Sequence, residues 1–230
     1  MTDTEISILL EASDRLTGSA ETDFHRYLHR MIDWGEDLVC IKGPKGTGKT
    51  TLILQHIKEA FGVGSTKAVY FSLDNVWFAD HNPIDAIDYF YKNGYTHLFI
   101  DEVHHYQEWS RLIKTAIDSY PGLKIAYSGS SILKMDKGRA DLSRRETVYC
   151  LKGMSFREFL EYEGVGRFPV VGYEELKASH RKLASRICRN LKIIPLFKRY
   201  LKSGYYPCLQ EESAALHGSA DRGREHGAVG

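Results

Sequence analysis

Short apolar runs separated by amphipathic stretches mark most of the chain. Apolar runs of this length, bounded by turn residues, are typical of strands, whereas apolar residues repeating every three or four positions are typical of helices. Strands that alternate with helices in this way predict an α/β domain. The predicted strands cover residues 37–42, 67–73, 96–102, 123–128 and 147–151.

The amphipathic stretches predict the helices between those strands. Residues 5–33 carry apolar side chains at helical spacing, and Thr17-Gly18-Ser19 is expected to divide them into two helices. Ser155 and Glu158 have the spacing of a capping box, which predicts the start of a helix. Further helices are predicted over 51–61, from Pro83 to about 93, over 109–117, and from about Tyr173 onward.

The segment between the first strand and its helix carries the strongest chemical signal. Residues 43–50 read G-x-x-x-x-G-K-T, the complete phosphate-loop pattern. The glycines let successive N–H groups turn inward around an anion, and the dipole of the following helix adds to the attraction. Lys49 can reach the β- and γ-phosphates, and Thr50 offers a hydroxyl to Mg²⁺. The predicted nucleotide-binding residues are Gly43, Pro44, Lys45, Gly46, Thr47, Gly48, Lys49, Thr50 and Thr51.

Two acidic residues end the third predicted strand. An apolar run followed by Asp101 and Glu102 favours a buried parallel strand that ends in a metal site. Asp101 is predicted to hold Mg²⁺ opposite Thr50, and Glu102 to activate water as a general base. The alternative is a pair of ordinary surface carboxylates. The histidines that follow, at 104 and 105, are interpreted as loop residues beside the site, since no metal-ligand spacing accompanies them.

The fourth predicted strand ends in Ser128-Gly129-Ser130-Ser131. A small hydroxyl at this position can contact the γ-phosphate or the attacking water. A helix cap explains serine equally well, because serine is a strong capping residue. Both interpretations stay open from the residues alone.

Composition limits the classes of function. The chain has 230 residues, 43% of them hydrophobic and 27% charged, and a net charge of +1, so the whole-chain field implies no polyanion partner. Its four cysteines form no C-x-x-C pair, so neither a zinc motif nor a redox motif is predicted. No apolar run reaches the roughly 18–20 residues that cross a bilayer. We expect a cytoplasmic protein with no membrane partner.

One segment departs from this balanced charge. Residues 177–202 contain nine lysines or arginines and no acidic residue. This composition is typical either of a surface that meets DNA or an acidic protein, or of a solvated helix face. The last twenty residues are rich in Gly, Ala and charge without periodicity, which predicts disorder.

Taken together, these motifs resemble the AAA+ P-loop ATPases that carry an extra catalytic glutamate. More narrowly, residues 20–207 resemble prokaryotic AAA-type ATP-binding proteins in which a C-terminal domain of unknown function follows the P-loop domain. The segments that carry the resemblance are residues 43–50, 98–102, 128–131, 155–160 and 200–207.

The resemblance implies a P-loop NTPase three-layer sandwich with a five-stranded parallel sheet, followed by a small helical region. It implies ATP and Mg²⁺ as ligands, and hydrolysis coupled to conformational change in a partner or assembly. A homo-oligomer is one candidate form of that assembly, although the sequence does not give the oligomeric state. It also implies a sensor at Ser128 or Ser130. An arginine finger is expected just before the fifth strand, where the family pattern is Leu-x-Gly-Arg. This chain has Leu142-Ser143-Arg144-Arg145, so Arg145 takes the arginine position and Arg144 replaces the glycine.

The expected organisation has four parts. They are N-terminal helices that pack on the core (1–34), the ATPase core (35–163), a helical extension (164–207) and a disordered tail (208–230). The tail does not resemble the family's larger C-terminal domain, so we expect a truncation or a change of reading frame near Cys208. The rival functions are a nucleotide-gated module that binds DNA or protein with little turnover, and a P-loop small-molecule kinase.

Overall fold

The computed structural model describes residues 3–130, 142, 144–189, 191–203 and 205–207. The predicted disordered tail and Ser131 lie outside these residues. The chain divides into two compact units, Met1–Lys152 and Gly153–Gly230, which are treated separately below. The four-part division expected from the sequence stays a prediction.

A five-stranded sheet forms the centre of the first unit. Each strand is a short apolar run, and every pairing is parallel, in the order β2-β3-β4-β1-β5. This confirms the predicted five-stranded parallel sheet. The strands are β1 (Leu38–Lys42), β2 (Ala68–Ser72), β3 (His97–Asp101), β4 (Lys124–Gly129) and β5 (Thr147–Cys150).

Helices cover both faces of the sheet. Alternate residues of β1 belong to different apolar clusters, Leu38 and Cys40 to one and Val39 and Ile41 to the other, so the sheet is buried on both sides. Among its described residues, the helices of this unit are α1 (Asp3–Ser19), α2 (Lys49–Ala60), α3 (Pro83–Lys92) and α4 (Trp109–Ser119), with 3₁₀ helices at Tyr27–Arg30, Val76–Ala79 and Val103–His105.

The strand order decides which loops meet. Strand β4 lies between β1 and β3, and all three run in the same direction. Their carboxyl ends therefore share one edge of the sheet, where ligands of open α/β sheets bind. The phosphate loop after β1, Ser128 near the end of β4 and Asp101 at the end of β3 all reach this edge.

The prediction of a second N-terminal helix before residue 33 is wrong. Helix α1 continues through Thr17-Gly18-Ser19, and afterwards only the 3₁₀ helix Tyr27–Arg30 forms. Side chains of α2 take carbonyls that a helix would have used: Gln55 donates to Glu21 O and Phe24 O at 2.7 and 2.8 Å. Lys58 donates to Gly18 O and Ala20 O at 2.9 and 2.7 Å. Tertiary hydrogen bonds override the helical spacing here.

The second unit is helical in its described part. It contains α5 (Phe156–Tyr162), α6 (Tyr173–Cys188) and α7 (Ile193–Ser203). The predicted capping box is confirmed, because Ser155 accepts from Glu158 N and the Glu158 carboxylate accepts from Ser155 N. Rings of Phe156, Phe159 and Tyr200 pack between α5 and α7. Over the described residues, every helix is too short or too polar to cross a membrane.

Helix α1 offers a test of this packing. It contacts β2 and α2, and its Ser13 hydroxyl accepts from Tyr70 N at 3.0 Å. Ile6 is fully buried, whereas Ile8 is 54% exposed. We expect Ile6→Ala to lower the free energy of unfolding in urea by roughly 2–4 kcal/mol, because it leaves a cavity in the core. Ile8→Ala is the matched control, with an expected change below about 1 kcal/mol. Equal losses would contradict the packing of α1.

Candidate functional site

The loop between β1 and α2 needs glycine for two different reasons. Gly46 and Gly48 have φ angles of 84° and 87°, in the left-handed region that other residues avoid. At Gly43 the constraint is space, because a Cβ would lie 2.2 Å from the carbonyl oxygen of Leu151. The backbone of the loop therefore approaches the segment after β5 too closely for any side chain.

Lys49, the first residue of α2, points back into this loop. Its ammonium donates to Gly43 O at 3.1 Å and to Pro44 O at 3.3 Å, and it lies 4.0 Å from a carboxylate oxygen of Glu102. The side chain is buried. Burial lowers the pKa of Lys49, although the charges of Glu102 and Asp101 oppose this shift. The loop thus holds an enclosed positive charge at the place where phosphates are expected.

Arg26 is a residue of this region that sequence reasoning missed. Its buried guanidinium donates to Thr47 O in the loop and, at 2.7 Å, to Lys152 O. The Thr47 hydroxyl donates to Pro44 O at 2.8 Å. The loop is therefore held by a hydrogen bond within itself and by one from Arg26. No local pattern marks this role, because a lone arginine before a 3₁₀ helix resembles many surface arginines.

Asp101 accepts hydrogen bonds from four donors although it is only 1% exposed. One carboxylate oxygen accepts from the Thr50 hydroxyl at 2.5 Å and from the Tyr70 hydroxyl at 3.0 Å. The other accepts from Ser128 Oγ and from Glu102 N at 2.9 Å. Burial, together with the charge of Asp101, raises the pKa of Tyr70, so its hydroxyl stays protonated and remains a donor.

Glu102 adopts an unusual backbone conformation. Its φ of 49° and ψ of 39° make it the sole non-glycine residue with positive φ in the described part of the chain. Such strained residues cluster at functional sites. Its carboxylate accepts from the Ser130 hydroxyl at 3.1 Å and lies 3.1 Å from His104 Nδ1. His104 Nε2 in turn lies 3.2 Å from Ser130 Oγ. The Glu102 carboxylate therefore lies between the Lys49 ammonium and the Ser130 hydroxyl.

A cavity of about 370 Å³ opens beside these carboxylates. Its polar wall includes Thr50, Tyr70, Asp101 and Glu102, and helix α1 supplies an apolar wall through Leu9, Ala12 and Leu16. The mixture of apolar lining and converging polar groups is usual for small-molecule sites.

Not all of the sequence-predicted site residues meet here. Lys49, Thr50, Asp101, Glu102, Ser128 and Ser130 come together at the carboxyl edge of the sheet. Ser128 is fully buried and bonded to Asp101, whereas Ser130 faces Glu102. Lys45 and Thr51 are exposed to solvent. Arg145, by contrast, bonds to Asp118 on α4.

The basic segment lies in the second unit, on α6 and α7. None of the described residues of α6 is buried. Arg199 of α7 pairs with Glu163 and lies over the ring of Phe159. The charges of α6 are therefore presented to solvent within this unit.

Comparison with known families decides the classification. Residues 35–160 match the family model described as the AAA domain. The chain belongs to the AAA domain family. An AAA domain is a P-loop ATPase domain, and the matched residues contain the loop, Asp101 and Glu102. No curated protein matches the sequence.

Two solved structures are among those that match parts of this chain. C. elegans PCH-2 is 19% identical with a TM-score of 0.38, over 76% of this chain and 51% of PCH-2. S. cerevisiae Hsp104, solved in complex with casein, is 18% identical with a TM-score of 0.42, over 70% of this chain and 29% of Hsp104. The chain therefore spans about half the length of the first and under a third of the second.

Two glycine variants test the loop geometry. We expect Gly43→Ala to lower the free energy of unfolding by roughly 2–3 kcal/mol, because its Cβ meets backbone. The Cβ of Gly48→Ala would have no atom within 4 Å, so we expect only the cost of the left-handed backbone, about 1–2 kcal/mol of unfolding free energy. Urea unfolding followed by tryptophan fluorescence compares them. A larger loss for Gly48→Ala would contradict the close approach of the loop to Leu151.

Proposed function

We propose that this chain binds ATP with Mg²⁺ and hydrolyses it, and that hydrolysis drives a conformational change in a partner or assembly. The observation that carries the proposal is the meeting of the Thr50 hydroxyl and the Asp101 carboxylate, 2.5 Å apart, beside the buried ammonium of Lys49. Membership of the AAA domain family supports the same conclusion.

The residues present fit both ligands. The loop combines left-handed glycines at 46 and 48 with the buried ammonium of Lys49, a combination that suits a polyphosphate. Thr50 and Asp101 offer one hydroxyl and one carboxylate oxygen, the hard donors that suit Mg²⁺. The bound ion would neutralise charge on the phosphate oxygens. Thr50 is the second residue of α2 and Asp101 is the last residue of β3, so both oxygens are positioned by rigid elements.

Glu102 is the residue we assign to activate water. Its carboxylate is held by Ser130 and lies 4.0 Å from Lys49, at the side of the site where the terminal phosphate would be bound. A carboxylate oriented in this way can accept a proton from an attacking water. Ser130, bonded to Glu102, is the better placed of the two predicted sensors, since the Ser128 hydroxyl is already committed to Asp101.

The first test is the variant Glu102→Gln, which keeps the shape of the side chain and removes its basicity. We expect normal ATP binding and steady-state hydrolysis at least about 10²-fold slower, the loss typical of removing a general base. Phosphate release measures turnover and a fluorescent ATP analogue measures affinity. The matched control is Glu108→Gln, an exposed glutamate at the start of α4, with unchanged turnover.

Lys49→Ala serves as the negative control for nucleotide binding. We expect it to bind no ATP, because it removes the charge enclosed by the loop. Unaltered hydrolysis in Glu102→Gln would refute the assigned base, and unaltered nucleotide affinity in Lys49→Ala would refute the site itself.

The same assay separates the rival functions. Phosphate release to water without an added acceptor argues against a small-molecule kinase. A module that binds DNA or protein with little turnover is favoured by the solvent-facing basic helix α6. That reading predicts negligible phosphate release and a nucleotide-dependent, salt-sensitive shift on DNA.

A further inference from the structure

A second cluster of ligating side chains lies at the other end of α2, away from the loop. It joins His25 and His29, which flank Arg26, to Glu59 in the last turn of the helix. His25 Nε2 lies 2.9 Å from one carboxylate oxygen of Glu59, and His29 Nε2 lies 3.5 Å from the other. One ligand atom from each of the three residues falls within 4.8 Å of the other two.

The two imidazole nitrogens lie at ion-pair distance from the carboxylate but make no hydrogen bond to it. Both Nε2 atoms are inaccessible to solvent, and neither makes a hydrogen bond of acceptable geometry to any described residue. A buried polar atom without such a bond is costly, so native proteins rarely leave two side by side. The distances are short while the ring N–H directions are poorly aligned with the oxygens. This arrangement fits three groups that converge on a common point better than it fits two hydrogen bonds.

We propose that His25, His29 and Glu59 form a binding site for a divalent transition metal ion of the Zn²⁺ class. Two ligands of a tetrahedral Zn²⁺, at bond lengths of about 2.0–2.2 Å, lie roughly 3.3 Å apart. The two N···O separations, 2.9 and 3.5 Å, bracket that value. Two imidazoles and one carboxylate are a donor set that suits such ions, and the 42% exposure of Glu59 leaves access for water as a fourth ligand.

The surroundings hold the ligands in place. Gln55, one turn before Glu59 on α2, is buried and fixes the backbone at Glu21 and Phe24, immediately before His25. The rings of His25 and His29 lie 4.4 Å apart. The ligands therefore come from two segments that are already bonded to each other, which lowers the entropic cost of binding an ion.

The site connects to the phosphate loop through Arg26. This arginine lies between the two histidines along the chain, and its guanidinium donates to Thr47 O of the loop. An ion bound by residues 25 and 29 and by Glu59 would connect this segment to the end of α2. The same segment contacts the loop before α2 through Arg26, so the ion would also restrict the position of that loop. Its role is thus to stabilise the nucleotide site from outside, without contact with the nucleotide.

The test uses tag-free, full-length protein that has been stripped with a chelator and titrated with Zn²⁺ or with Co²⁺, whose visible spectrum reports its ligands. We expect one equivalent of Zn²⁺ per chain, a Co²⁺ spectrum with nitrogen and oxygen ligands, and a Zn²⁺-dependent rise in unfolding temperature. Glu59→Gln and His29→Ala should bind at least about tenfold more weakly. Because Glu59 lies on the surface, Glu59→Gln is expected to fold and keeps the test valid if His29→Ala does not.

Two controls exclude other histidines. His180→Ala removes an exposed histidine of α6 and should leave binding unchanged. His105→Ala addresses the other potential group, Glu102, His104 and His105 beside the nucleotide site, and should also leave it unchanged. Absence of stoichiometric Zn²⁺ binding to the wild type would overturn the proposal. Equal affinity in Glu59→Gln and the wild type, or loss of binding in His105→Ala alone, would overturn it too.

Discussion

The carboxylate of Asp101 is the point on which the candidate site depends. It is buried at the end of β3, where an ionised group with no partners would cost several kcal/mol. Four donors offset that cost, from α2, β2, β4 and the next peptide of the chain. Each charge-assisted bond contributes about 1.5–3 kcal/mol relative to its loss. The same bonds fix the orientation of the carboxylate, and so fix the position that it would present to the proposed cation.

The parallel sheet makes this arrangement possible. Insertion of β4 between β1 and β3 separates the phosphate loop from Asp101 by one strand, and the Ser128 hydroxyl of that strand bonds to the carboxylate. The enclosed charges then complement one another, with Lys49 inside the loop and Glu102 4.0 Å away. Glu102 lies in the strained turn that follows β3, directly before the 3₁₀ helix that begins at Val103. The Arg26 guanidinium donates to Thr47 O and so helps to hold the loop in place.

The sequence predicted those parts of the site that depend on local spacing. The loop from Gly43 to Thr50 and the strand ending at Asp101 are local patterns with a direct physical reason, and the fold class follows from strands alternating with helices. The capping box at Ser155 is equally local. The prediction of a second N-terminal helix failed because backbone carbonyls of that segment accept hydrogen bonds from Gln55 and Lys58, which are distant in sequence. Tyr70, Arg26 and the cluster around Glu59 depend on strand order and packing, which no local pattern encodes.

The most direct test of the central claim, one cation shared by Thr50 and Asp101 at the loop, is Mn²⁺ binding followed by electron paramagnetic resonance with and without ADP. The account predicts that the wild-type chain binds Mn²⁺ with ADP as a single equivalent, and that Asp101→Asn retains ADP but loses at least about tenfold in Mn²⁺ affinity, as expected for loss of a ligand. Undiminished Mn²⁺ affinity in Asp101→Asn would contradict the account.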